Sequence, residues 1–360
     1  MAKKPKDIDY KTYLQLPALL KAQQPISGSA QKPFAHDEML FIIVHQTYEL
    51  WFKQILFEVD RIQDIFSRKV VADGDLRVIS AGLERIVEIL KYLVRQIDIL
   101  ETMTPLDFLD FRHVFRSASG FQSLQFRELE IRLGLRRTDR VSYDGKSYES
   151  YMSAEDQKII SGLEKKPSLF DQIDKWLSRT PFVTMGGFDF WRAYRKAVAD
   201  MVSGDKKSVL ANVSLSKAAR QMELHKLENV QKQFDSLFNS NPKEKMPWRL
   251  SLKALQAALF ITLYRDQPVL QGPFKILNAV MDIDETMTLW RYRHALMVQR
   301  MLGMKMGSGG SSGHDYLAQT AAKNRIFLDL FALSTFMIPR STLPKLPKAV
   351  EEKMGFKYGD

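Results

Sequence analysis

WRYRHALMVQRMLGMKMGSGGSSG, residues Trp290–Gly313, is the stretch on which the reading of this chain turns. At 3.6 residues per turn Trp290, His294, Met297, Val298 and Met301 share one stripe, so a helix here turns the His294 imidazole inward among apolar neighbours. Gly303, Gly307, Gly309, Gly310 and Gly313 then abandon helical grammar for a backbone that can approach something closely. A histidine on such a stripe is either a structural hydrogen-bonder or a metal ligand.

A second histidine shares that setting. Asp37 is placed to cap a helix whose apolar positions run Phe41, His45, Tyr48, Phe52, Ile55, Val59, Ile62 and Phe66, alternating steps of four and three. His45 therefore lies on an expected buried stripe. From Gly74 to Met103 the pattern repeats through Leu76, Ile79, Leu83, Ile86, Leu90, Leu93, Ile97 and Leu100. Two long helices with such seams argue for a helical bundle.

Further helices surround these two. Thr104-Pro105-Leu106-Asp107 reads as a helix start that places Phe108 and Arg112 four apart on one face. After Arg116–Gly120 the run FQSLQFRELEIRLGL resumes as helix, and residues 136–153 read as a polar loop. Residues 154–240 read as helices broken at Pro167, Pro181 and Gly186-Gly187. Ser251 opens a helix apolar on nearly every side, hence a core helix. A break from Pro268 to Pro273 precedes the tract that leads into His294, and a last helix is expected from Asp315 to about Phe336. With no repeat and no βαβ alternation, the fold class is all-α. The expected organisation is an arm over 1–36, one domain over 37–340 with a peripheral helical subdomain at about 154–250, and a tail over 341–360.

Composition narrows the chemistry. With 45% hydrophobic and 26% charged residues the 360-residue chain is an ordinary globular sequence that can bury a sizeable core. It has no cysteine, which excludes disulfides, thiolate zinc sites, cysteine nucleophiles and thiolate-ligated haem, so histidine or carboxylate must hold any metal. A net charge of +11 spread among acids reads as a basic surface rather than a nucleic-acid interface. No apolar run approaches a membrane span and MAKKPKDIDYK leads into no signal-like segment, so a soluble cytoplasmic protein without a membrane partner is expected.

Of the six histidines only His45 and His294 sit on strongly apolar helical faces. They lack the paired spacing of a zinc site, so single-imidazole ligation fits them better, and haem needs one strong axial ligand and an apolar slot. Arg112 either pairs with a carboxylate of the protein, with Asp107 and Asp110 nearby, or grips a ligand carboxylate with two hydrogen bonds. The glycine loop lacks the order of a phosphate loop and follows a helix. Its amides and the hydroxyls of Ser308, Ser311 and Ser312 suit a small polar ligand. Tyr10 and Tyr13, three apart on the arm, read as packing residues or as contributors to a ligand site.

FIIVHQTYELWFKQILFEVD (Phe41–Asp60), LETMTPLDFLDFR with SASGFQSLQFRELE (Leu100–Glu130), and MDIDETMTLWRYRHALMVQRMLGMKMGSGGSSG (Met281–Gly313) resemble the signature blocks of the tryptophan 2,3-dioxygenase family. The likeness runs from about Tyr10 to Pro339. It is nearer the longer, animal-like members, because the 154–250 region is present in full. The resemblance implies a homotetramer, a dimer of dimers, with one haem b per subunit. Such an enzyme inserts both atoms of O2 across the indole C2–C3 bond of L-tryptophan to give N-formylkynurenine, opening tryptophan catabolism by the kynurenine pathway. His294 matches the proximal iron ligand, and Trp290, one turn before it, is expected to take part in binding the cofactor. His45 matches the distal histidine that meets the indole N–H, and Arg112 the arginine that binds the substrate carboxylate. Phe41, Tyr48 and Phe108 match pocket walls, while Ser119 and Gly120 match the segment over the haem. Tyr10 and Tyr13 match tyrosines lent by a neighbouring subunit. Ser308 stands where the family usually has threonine, and Arg293 where a neutral residue is expected. These departures carry the alternative of a relative that inserts one oxygen atom into a modified tryptophan or oxindole.

Overall fold

The computed structural model describes residues 8–31, 33–114, 122–141, 148–238, 248–303 and 313–355. The elements in order are α1 (Tyr10–Tyr13), α2 (Leu16–Leu19), α3 (His36–Ser67), α4 (Asp73–Leu100), α5 (Pro105–Arg112), α6 (Leu124–Leu133), α7 (Ala154–Leu163) and α8 (Leu169–Leu177). A two-residue hairpin β1–β2 (Thr184–Met185, Phe188–Asp189) follows, then α9 (Phe190–Ala211), α10 (Lys217–Phe238), α11 (Leu252–Leu263), α12 (Pro268–Leu302), α13 (Gly313–Lys323), α14 (Leu328–Ala332) and α15 (Lys348–Glu351). The fold is all-α, as the periodicity predicts. The hairpin turns on Gly186 and Gly187 at φ of 58° and 81°, a left-handed pair that β-carbon-bearing residues resist.

Two compact units divide the chain. The first gathers Met1–Glu58, Ile86–Lys166 and Glu285–Arg325, and the second Val59–Arg85, Pro167–Asp284 and Ile326–Asp360. Helices α3, α4 and α12 each contribute one stretch to either unit.

In the first unit Tyr48, Phe52 and Ile55 of α3 and Ile86, Leu90, Leu93 and Ile97 of α4 are buried, each at the step of three or four that the sequence anticipates, and Val44 is buried beside that stripe. Burying one such side chain stabilises the fold by roughly 1.5–3 kcal/mol. Helix α5 begins as its sequence predicts: the Thr104 hydroxyl accepts from the Asp107 amide while the Asp107 carboxylate accepts from the Thr104 amide. Helix α6 is capped by Ser123 and stopped at Gly134, whose φ is 125°.

In the second unit α11 starts at the Ser251 cap and is the expected core helix, with eight buried residues. Two expectations are corrected here. The chain does not break between Pro268 and Pro273: α12 starts at Pro268 and runs through Pro273, because only one turn precedes that proline and a single ladder bond is lost. Nor is 315–336 one helix. The Asp284 carboxylate accepts from the amides of Ile326 and Phe327 at 3.1 and 3.3 Å, so those amides leave the helical ladder and a short α14 restarts at Leu328.

Candidate functional site

The site is built in the first unit, from α3, α5 and α12. Phe41 packs on the His45 ring with 4.0 Å between centroids and on Phe108 and Phe111 of α5 at 5.9 and 5.6 Å. Tyr48, one turn on, is buried and donates its hydroxyl to the Leu93 carbonyl at 2.8 Å. Burial pushes that phenol up to about 12, so it stays protonated.

His45 Nδ1 lies 2.7 Å from the Phe41 carbonyl oxygen. A carbonyl only accepts, so Nδ1 carries the proton and Nε2 keeps its lone pair. Desolvation holds the imidazole pKa below its usual value, outweighing the Phe41 carbonyl and the Glu49 charge, and the ring is neutral at pH 7. The expectation of a buried ring is corrected: His45 is exposed. The ring is thus desolvated by its surroundings yet open to solvent, a combination that helical spacing does not reveal.

On α12 the Trp290 indole stacks on the His294 imidazole, 5.2 Å between centroids and 8° between planes. Tyr48 meets Trp290 edge-on at 6.0 Å, and Phe126 of α6 packs on it at 5.2 Å. Desolvation, followed by repulsion from His45, lowers the His294 pKa to about 4. The two imidazoles thus feel one another, and both are uncharged. Among the described residues no protein group hydrogen-bonds to the half-buried His294 ring, which leaves a neutral nitrogen donor uncommitted. The charge of Arg293, next in sequence, is balanced. Its guanidinium reaches Asp98 at 2.6 Å and Glu101 at 3.2 Å.

Arg112 is half-buried at the end of α5, on the face that carries Phe108. Of its two sequence neighbours, Asp107 is engaged by the α5 cap and Asp110 is exposed. Tyr10 and Tyr13 are 74% and 75% exposed, and α1 and α2 bury no residue. The chain just after them is anchored on α3: the buried Glu38 carboxylate accepts from the amides of Ile26 and Ser27 at 2.9 and 3.0 Å, and Gln46 donates to the Ala22 carbonyl. Ser119, Gly120 and Ser308 lie outside the described residues.

Sequence reasoning missed the polar frame behind this site. Glu49 of α3 accepts from Ser123 and Gln125 of α6, and buried Glu130 of α6 gathers Arg127, Arg140 and Arg291. One signal was available: Arg127 and Glu130 stand three apart on the helix face that also holds Ile131. Among the described residues no three potential ligands cluster to hold a metal, and no helix is long and apolar enough to cross a membrane.

Fold and site together define an all-α protein whose centre is a pair of uncharged imidazoles, from separate helices, in an aromatic lining. A family profile described as tryptophan 2,3-dioxygenase matches residues 2–337, and the chain belongs to that family. Tryptophan 2,3-dioxygenase of Bdellovibrio bacteriovorus is 52% identical, with 98% of this chain and 99% of the relative covered. That of Alteromonas mediterranea is 46% identical over 96% and 97% of the two chains, and that of Dictyostelium discoideum 45% over 98% and 89%. Two of these relatives are bacterial and are spanned almost end to end, so the full-length form is not peculiar to animal-like members.

Proposed function

We propose that this chain cleaves the indole C2–C3 bond of L-tryptophan with O2 to give N-formylkynurenine, with haem b held by His294. The observation that carries the reading is the contrast between two neutral imidazoles. His45 has its Nδ1–H committed to a carbonyl, while His294 has no hydrogen-bond partner from the protein among the described residues. Haem fits the residues present, since the uncommitted, uncharged imidazole of His294, beside the flat face of Trp290 in an apolar setting, would hold its iron. When bound, haem supplies the binding and activation of dioxygen.

The chain's own residues position the substrate. The Nε2 lone pair of His45 accepts the indole N–H, which orients the ring, and at pH 7 the uncharged imidazole does not compete as a donor. Phe41 and Phe108 wall the indole, and buried Tyr48 packs edge-on against Trp290. Arg112 grips the substrate carboxylate with its planar fork, the strongest geometry available to it. For Ser308 a part in holding the substrate ammonium, and for Ser119 and Gly120 a part in binding haem, follow from the family resemblance alone, since all three lie outside the described residues. The two exposed tyrosines of the arm, Tyr10 and Tyr13, dock on a neighbouring subunit of a homotetramer, which would cover α1 and α2, whose residues are not buried among the described residues.

Purified protein loaded with haem and reductant should convert L-tryptophan and labelled O2 into N-formylkynurenine carrying two labelled atoms. Loss of tryptophan without that product overturns the assignment. The one-oxygen alternative rests on Ser308 and Arg293, and relatives named tryptophan 2,3-dioxygenase across nearly the whole chain do not favour it.

A further inference from the structure

Helix α6 touches both helices that carry the imidazoles. At its start the Ser123 hydroxyl donates to Glu49 at 2.6 Å, and the Gln125 amide donates to the Glu49 carboxylate and carbonyl at 2.8 and 2.9 Å. Glu49 stands one turn after His45 on α3. In the middle of α6 the Phe126 ring lies between Phe52 of α3, at 5.4 Å, and Trp290 of α12, at 5.2 Å. Near its end Glu130 receives the Arg291 guanidinium at 2.8 Å, and the same guanidinium donates to the Asn324 carbonyl at 3.0 Å. Arg291 is flanked by Trp290 and stands three residues before His294.

We infer that α6 is a positioning wedge: Ser123 and Gln125 fix the distal helix through Glu49 while Glu130 fixes the proximal helix through Arg291, so α6 sets the orientation of His294 and its spacing from His45. The Glu130 cluster is costly for a purpose of stability alone. One carboxylate faces Arg127, Arg140 and Arg291, every side chain in the cluster nearly inaccessible to water. Buried charge clusters of this kind contribute little net stability compared with apolar packing, and fixing a unique geometry is their better-attested use. The planar fork adds to that effect, because Arg291 bridges two partners, bonding Glu130 through one nitrogen and the Asn324 carbonyl through the other, and so fixes the roll of α12 about its axis. A roll of α12 turns the Trp290–His294 stack with it. Arg291 and Glu130 are therefore positioning residues, not catalytic ones.

The inference rests on His294 as the haem ligand, and its test separates the two. Arg291→Gln leaves Glu130 paired with Arg127 and Arg140, so no carboxylate is stranded, and Arg291→Lys keeps charge without the fork. Leu129→Ala, a fully buried α6 position outside the ion cluster, serves as a destabilised control. The full-length variants are loaded with haem and compared by haem affinity, thermal stability and the iron–imidazole vibrational band. We expect Arg291→Gln to weaken haem binding about tenfold and to displace or broaden the band, and Arg291→Lys to restore it only in part. Leu129→Ala should lose comparable stability and leave the band in place. A band unmoved in Arg291→Gln while stability falls reduces the cluster to a structural role and overturns the inference. Should Arg291→Gln fail to fold, Ser123→Ala applies the same test at the distal end, where an unchanged haem and substrate-induced spectrum is the overturning result. Full haem retention in His294→Ala, by contrast, overturns the ligand assignment and not the wedge.

Discussion

The indole of Trp290 and the imidazole of His294 lie nearly parallel, one helical turn apart, with 5.2 Å between their centroids. The stack restrains the imidazole without using either of its nitrogens, which suits the proposed role of giving a lone pair to a metal. A stack of this kind is worth about 0.5–1.5 kcal/mol. Trp290→Ala should therefore weaken haem binding by up to about tenfold, and Trp290→Phe by less. Haem titration of the two variants checks this, and equal affinity in wild type and Trp290→Ala shows that the stack does not support the ligand.

His45 is expected to act after haem is bound. His45→Ala should hold haem normally and lose roughly 5- to 150-fold in kcat/KM, the effect of leaving the indole N–H without an acceptor at about 1–3 kcal/mol. The pH profile gives the sign. The folded-state pKa of His45 is depressed below 6.5, so the accepting Nε2 is present at neutral pH and lost as pH falls through that depressed value. kcat/KM should carry an acidic limb in the wild type that disappears in His45→Ala. A limb that survives the substitution belongs to another group.

The arm should come loose in acid. Burial works to raise the Glu38 pKa, but the amide of Ile26 and the hydroxyl and amide of Ser27 outweigh it and hold the carboxyl below its ordinary 4.5. The anchoring is therefore complete above 4.5 and lost as pH falls through the lower folded value. Hydrogen exchange at the amides of Ile26 and Ser27 should quicken in that window, and Glu38→Gln should exchange quickly at every pH. Protection that persists in Glu38→Gln would show that the carboxylate is not the anchor.

Arg293 should matter less than its position suggests. Its charge is balanced by Asp98 and Glu101 at a partly exposed site, where such pairs contribute about 0–1 kcal/mol. Arg293→Gln should leave haem affinity within about twofold and stability within about 1 kcal/mol. A large change in either assigns the residue a direct part in the haem site.

Much of the frame could be read from local spacing. The steps of four and three from Tyr48 onward in α3 and through α4, the Thr104–Asp107 cap and the Ser251 start depend on residues within a turn or two of one another, and the structure has them as the spacing predicts. Pro273 misled, because a proline one turn into a helix removes little of the ladder, whereas a mid-helix proline removes more. The 315–336 segment misled because Asp284, some forty residues earlier, takes the amides that would have continued the helix.

By itself, the sequence determined which faces are apolar and that His45 and His294 lie on two of them, since helical periodicity is a local property. What stands opposite those faces was decided by tertiary structure alone. Spacing could not tell that the His45 ring is open to solvent, that Asp98, 195 residues away, balances Arg293, or that Glu130 on α6 meets Arg291 on α12, 161 residues on. Protonation belongs to the same level. The neutrality of both imidazoles comes from desolvation by distant elements, and a solvation energy exists only once those elements have come together.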